Sequence, residues 1–337
     1  MRETQVFVPG EHELAGVLCL PEAATSRAPA AGLVLLGGTG ADNRDGDLAV
    51  PRAARATDAP VPGTLRQIAH DLAANGVASL RYDRRGHGGS QGDAAAADYA
   101  TDLADAVASV GWLRSRPEID GERVAVAGHS AGALTACHVC RDVEGLAAAA
   151  FLGALASPIE EMLRWNVGRW ARRSDELSEE QRRWLERELA PHLVRSEGIE
   201  DLLDGARRGD ASVRLTGYGL TLDLPTARLR QDLDTSYAAE FRHVRCPALV
   251  LHGGADLNVP VEDALVAFGE LRGAGGRDVE LVVLPRLDHY FTRTAATPAE
   301  RFWDRVSLAG LSRPMSADAL RAISRWAVRV LGTATTR

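Results

Sequence analysis

Three residues far apart in this chain could together cleave an acyl bond. Ser130 stands in Gly128-His-Ser-Ala-Gly132, Asp256 ends Leu251-His-Gly-Gly-Ala-Asp256, and His289 follows Asp288. A serine hydroxyl is a poor nucleophile until a base takes its proton. An imidazole is an effective base when a carboxylate orients it and stabilises its cation. Serine, acid and histidine thus offer a nucleophile, an orienting group and a base for acyl transfer through an acyl-enzyme. The pentapeptide alone is a weak signal, because glycine fills 33 of 337 positions and such spacings arise by chance.

The elements around each residue sharpen it. Arg123-Val-Ala-Val-Ala127 reads as a strand and the residues from Ala131 as a helix, so Ser130 falls on a strand-to-helix turn. Gly128 and Gly132 remove side chains where that turn brings backbone and helix together. Asp256 comes just past a predicted strand at 248–252, and His289 lies in the loop after a predicted strand at 279–284. Further apolar runs bounded by glycine predict strands at 32–36, 77–82, 124–127 and 147–155, with helices at 65–74, 97–114 and 131–140 between them. Such alternation marks an α/β fold with a mostly parallel sheet flanked by helices. Residues 4–19 alternate as an antiparallel hairpin turning at Pro9-Gly10, and 316–332 read as a core-packing terminal helix stopped by glycine.

Two regions break this rhythm. Residues 43–63 carry three prolines and alternating charges, which predicts a long surface loop. Residues 157–241 are charged, tryptophan-bearing and helical in pattern, with a capping box at Ser178-Glu-Glu-Gln181. They are expected to form a helical cap inserted into a core made of 1–156 and 242–337.

With these motifs in order, the chain resembles the α/β-hydrolase superfamily over nearly its whole length. Gly128-His-Ser-Ala-Gly132, Leu251-His-Gly-Gly-Ala-Asp256 and Asp288-His289 match its nucleophile, acid and base segments. Arg81-Tyr-Asp-Arg-Arg-Gly-His-Gly-Gly-Ser90 is similar to a loop of its lipase, esterase and serine-aminopeptidase-like branches, and Gly38-Thr-Gly-Ala-Asp-Asn-Arg-Asp45 to a segment of bacterial capped esterases. The resemblance implies an oxyanion hole from the backbone N–H groups of Ala131 and Thr39, and substrate contacts at Gly38, His129 and the cap residue Trp165. It implies a serine hydrolase cleaving a carboxylic ester, thioester or lactone. Acyl transfer or elimination on the same triad is the alternative, and a ligand-binding protein on this scaffold a third reading.

Several neighbours have plainer roles. Asp288 adjoins His289, but consecutive side chains rarely point together, so Asp256 is the preferred acid. His252 and His87 are expected to be hydrogen-bonded strand-end or loop residues. Asp83 and Arg84 are expected to pin a loop by ion pairing, as are Arg44 and Asp45. In the cap, Arg164, Arg169, Arg172 and Arg173 read mostly as partners of nearby glutamates, with Trp165, Trp170 and Trp184 as packing or pocket surface.

Composition limits the remaining classes. A formal charge of −7 with mixed signs gives no field for a phosphate backbone, so nucleic acid is not an expected partner. No run approaches the ~20 apolar residues of a membrane span, and the charged first residues lack a signal-peptide pattern, so a cytoplasmic protein is expected. Four cysteines, Cys19, Cys137, Cys140 and Cys246, are too scattered for a disulfide scaffold or zinc site and read as packing residues. No metal or organic cofactor is expected; a small-molecule ester is the expected partner, with a homodimer open.

Overall fold

The computed structural model describes residues 1–40, 43–48, 63–173, 176–276, 278–307 and 309–332, without the side chains of 95 and 169–173. Most of the proline-bearing loop predicted at 43–63 lies outside these residues, as do the side chains of Arg169, Trp170, Arg172 and Arg173.

Apolar runs too continuous for a one-sided strand need cover on both faces, and the sheet supplies that. In chain order its strands are β1 (Arg2–Val8), β2 (Leu14–Leu20), β3 (Ala30–Leu36), β4 (Ala78–Tyr82), β5 (Ile119–His129), β6 (Ala149–Leu152), β9 (Ala248–Gly253) and β10 (Val279–Leu284). They lie side by side as β1-β2-β4-β3-β5-β6-β9-β10. β2 pairs antiparallel with both β1 and β4, and the remaining pairs are parallel, so β2 alone runs against the others.

Side chains alternate between two cores, as period-two geometry requires. Val34, Leu36 and Val250 pack on one side with Val110, Leu113 and Leu271 of α2 (Tyr99–Arg114) and α10 (Val261–Gly273). α3 (Ala131–Asp142) covers the same side through Ala133, Ala136, Cys137 and Val139. Leu33, Leu35, Leu249 and Leu251 point to the other side, against Ile68 and Leu72 of α1 (Thr64–Ala74) and Ile323, Trp326 and Leu331 of α12 (Ala317–Leu331). Each leucine, isoleucine or valine among them stabilises the fold by about 1.5–3 kcal/mol when fully buried. The sequence-read strands and helices of the sheet region reappear within a few residues; β5 extends furthest beyond its predicted span.

The chain between β6 and β9 departs from the expected all-helical cap. It contains α4 (Ile159–Arg173), α5 (Glu179–Glu188), α6 (Ala190–Glu197), α7 (Ile199–Arg208), α8 (Ala227–Asp234) and α9 (Tyr237–Glu240). Between α7 and α8 stands a two-stranded hairpin, β7 (Ser212–Gly217) with β8 (Leu220–Pro225). Its turn, Tyr218-Gly219, has positive φ at both residues, the twist that a two-residue hairpin favours. Val213, Leu215 and Leu224 pack with Val194 of α6, which gives the hairpin a covered face.

Between β10 and α12 lies α11 (Pro298–Ser307), begun by a reciprocal cap in which Thr297 and Glu300 bond each other's backbone N–H. Trp303 of α11 meets Trp184 of α5 edge-on at 5.3 Å, so the chain between β6 and β9 packs against α11 here. Among the described residues no helix is long and apolar enough to cross a membrane.

Candidate active site

β5 ends at His129 and α3 starts at Ala131, leaving Ser130 alone to turn the chain. Its backbone adopts φ 55° and ψ −124°, a conformation costly for a non-glycine residue and held here by its surroundings. The Ser130 N–H donates to Leu152 O of β6 at 2.9 Å, and Ala133 N–H donates to Ser130 O at 2.9 Å. A Cβ at position 128 would stand 2.1 Å from Gly132 O, and one at 132 would stand 2.4 Å from Leu36 O. The two glycines are therefore what allow the helix to start against the sheet immediately after the serine.

Across the turn, Gly38 lies so close that a Cβ there would fall 2.7 Å from Ser130 Cβ. Thr39 follows it on the wall of the cavity that Ser130 faces. Ala131 opens α3, where the first backbone N–H groups have no intrahelical acceptor. It is not on the main cavity wall but borders a smaller adjoining pocket with Gly37.

Asp256 sits in the loop after β9 and is buried. Its Oδ1 accepts the N–H groups of Asn258 (2.6 Å) and Val259 (2.9 Å), and its Oδ2 lies 2.7 Å from His289 Nδ1. Burial alone would raise this carboxyl pKa, but the charge and hydrogen bond of His289 hold it below the ordinary 3.8. With Nδ1 facing the carboxylate, hydrogen-bond geometry assigns the proton to Nδ1 and leaves Nε2 as the free acceptor.

His129 is also buried, and its Nε2 lies 2.8 Å from His289 O. Burial, reinforced by His289, drives the imidazole pKa from 6.5 to about 3, so the ring is neutral and donates to that carbonyl. Its polar edge is therefore engaged in holding the His289 backbone, although the residue lines the cavity as the sequence suggested.

The rival residues separate. Asp288 accepts from Tyr290 and Thr292 N–H and from the Thr292 hydroxyl, closing the turn beside His289 rather than facing its ring. His252 Nε2 is 3.2 Å from Val259 O and 3.5 Å from Asp256, at the end of β9. Asp83 pairs with Arg44, and Arg84 with Asp102 of α2, so the expected ion pairing ties the loop after β4 to the segment at 43–48 and to α2. Asp45 bonds Arg81 and Arg66.

Ser130 and His289 open onto one cavity of about 860 Å³ that residues between β6 and β9 also line. α4 faces it with Ile159, Met162, Leu163, Asn166 and Val167. Trp165, expected to contact substrate, does not line it. At 100° per residue it points roughly 130° from the centre of that face. Arg164 instead pairs with Glu200 and Glu160 at the surface. Sequence reading also missed His192, Arg195 and Arg305, which do line the cavity. Their signal was present: 192, 195 and 196, like 302, 305 and 306, fall at one-face helical spacing.

Comparison with known proteins agrees with this architecture. No curated protein matches the sequence. Among solved structures, the esterase domain of a Rhodothermus marinus protein superposes with a TM-score of 0.53 at 17% identity, over 98% of this chain and 100% of that one. An esterase of Pyrococcus furiosus gives 0.59 at 16%, over 98% and 92%. Est1E of Butyrivibrio proteoclasticus, solved with ferulic acid bound, gives 0.55 at 18%, over 91% and 98%. The family model for X-Pro dipeptidyl-peptidase (S15 family) matches residues 21–290, which include Ser130, Asp256 and His289. On that match the chain belongs to the S15 family and is a serine hydrolase of the α/β-hydrolase superfamily.

Proposed function

We propose that the protein hydrolyses a carboxylic ester, or a close thioester or lactone, of a small organic molecule through Ser130, His289 and Asp256. The observation that carries this reading is the 2.7 Å Asp256–His289 contact beside a largely apolar cavity that Ser130 shares. His289 Nε2 takes the proton of Ser130 Oγ as that oxygen attacks the carbonyl carbon. It then returns the proton to the leaving alkoxide or thiolate. Asp256 keeps the ring oriented and stabilises the imidazolium. The N–H groups of Ala131 and Thr39 receive the negative oxygen of the tetrahedral intermediate, and removing one such donor typically costs a hundred- to a thousandfold in rate. Water, deprotonated by His289, then releases the acid and restores Ser130.

An ester is favoured over the N-terminal dipeptide that the family's name suggests. A dipeptidyl substrate presents an ammonium group, which calls for a free carboxylate. Among the described residues lining the cavity, the only carboxylate is Asp232, and it is already bonded by the Tyr99 and Tyr237 hydroxyls and faced by Arg228. The esterases among the structural neighbours support the same choice.

The test is labelling by a fluorophosphonate, with turnover of para-nitrophenyl esters and of an X-Pro anilide. We expect label and an acyl-enzyme burst in the native protein, none in Ser130→Ala, and faster release from esters than from the anilide. Anilide turnover exceeding that of every ester would replace the reading with a peptidase. Labelling without turnover of either would favour transfer or elimination.

A further inference from the structure

The cavity walls are largely apolar and carry a cationic patch made by α6 and α11. α6 turns His192, Arg195 and Ser196 toward the cavity, and α11 turns Phe302, Arg305 and Val306 toward it. These are successive i, i+3, i+4 positions, so each helix aims one whole face inward. Among the described residues neither Arg195 nor Arg305 has a carboxylate within 4.0 Å, and Arg305 Nε is buried without a hydrogen-bond partner. Arg228, also on the cavity, differs: it bonds Asp102, faces Asp232 and lies over the Tyr99 ring. Arg195 is exposed on its outer side and Arg305 half-buried, so the pair reaches the cavity with only the buried Arg305 Nε cut off from any partner, a group that an anion would satisfy. His192 lies within their field; desolvation and then the charges of Arg305 and Arg195 push its imidazole down to about 4, which favours the neutral ring beside them.

We propose that Arg195 and Arg305, assisted by His192, bind a carboxylate carried by the substrate itself, so that the preferred substrate is an ester of an acid with a second, free carboxyl group. This rests on the ester-hydrolase reading and adds its substrate class. The guanidinium forks suit a carboxylate because each can donate two parallel hydrogen bonds to it. One arginine comes from α6 and the other from α11, so the anion would also join these two helices across the cavity that Ser130 shares.

The test compares the para-nitrophenyl hemi-ester of adipic acid with para-nitrophenyl hexanoate, which has the same chain length and ends in a methyl group. The expected result is a preference of about tenfold in kcat/KM for the charged ester, weakened by salt. Arg195→Met and Arg305→Met should each lower that preference, and the double variant should abolish it. Lysine at both positions retains charge without the forks and should give an intermediate preference, which serves if the methionine variants fail to fold. Equal or better use of hexanoate by the native protein, or a preference that survives the double variant, would overturn the inference. If neither ester turns over, calorimetric titration of the native protein with adipate decides. Binding lost in the arginine variants supports the patch, and no binding to the native protein removes it.

Discussion

The geometry at His289 makes one residue-scale outcome especially clear. The residue is held at two points, its ring by Asp256 Oδ2 on Nδ1 and its backbone carbonyl by His129 Nε2. Replacing Asp256 with asparagine preserves shape but offers a donor or a neutral acceptor where the anion stood, so the tautomer with Nε2 free is no longer enforced. By analogy with other triads, kcat for an aryl ester should fall roughly ten-thousand-fold with little change in KM. Steady-state kinetics on a folded Asp256→Asn variant checks this, and a loss under tenfold would remove Asp256 from the mechanism. Ser130, Asp256 and His289 were legible because each sits at the carboxyl end of a strand, a place that apolar runs bounded by glycine reveal. Trp165 was misjudged because residue type suggested a pocket wall, whereas helical phase decides which side chains reach one. Arg195 and Arg305 escaped notice because arginine on an amphipathic helix ordinarily signals the solvent face.

Among the elements, the critical junction is where α3 starts against the end of β3. Gly132 lies there with Leu36 O and Gly37 O so near that an added methyl would meet them at 2.4 and 2.7 Å. Both neighbours are backbone and cannot rotate aside. Gly132→Ala should therefore shift α3 away from the segment bearing Gly38 and Thr39, costing about 1–3 kcal/mol as overpacking does. It should also cost activity through the separation of Ala131 and Thr39, the oxyanion donors proposed above. Urea unfolding followed by circular dichroism, paired with ester kinetics, measures both; unchanged stability would contradict the contact. The same scale shows what the sequence concealed. The β7–β8 hairpin alternates in Ser212-Val-Arg-Leu-Thr-Gly217 and carries a Tyr-Gly turn, yet charged helical stretches on both sides masked it. α11 was missed although Thr297-Pro-Ala-Glu300 holds its capping residues. Short amphipathic segments that pack on other elements take their form from tertiary contact more than from their own periodicity.

For the whole molecule, buried titratable groups set the pH range over which the fold is stable. His129 has its pKa depressed from 6.5 to about 3, chiefly by burial. A group with a depressed folded pKa contributes fully above its unfolded value and loses that contribution as pH falls through the folded one. The His129 contribution should thus be intact above 6.5 and decline steadily toward pH 3, with every tenfold loss of proton affinity worth about 1.4 kcal/mol. Asp256, held below 3.8 despite burial, adds its loss only at the acid end of that window. Asp288 opposes the slope, because burial raises its carboxyl pKa. On the alkaline side the sign reverses. Burial pushes the Cys19 thiol from 9.0 up to about 11 and the Tyr290 phenol from 10.0 up to about 12. Their contributions are complete below those starting values and fade as pH climbs through the raised ones. Stability should therefore be greatest between pH 6.5 and 9.0 and fall on both sides. Urea midpoints across that range test the shape, and His129→Gln isolates its cause, since glutamine can still donate to the His289 carbonyl but does not titrate. A variant whose acid limb is as steep as that of the native protein would assign the decline to other groups, whereas a flattened limb would tie the acid tolerance of the fold to the histidine that holds His289 in place.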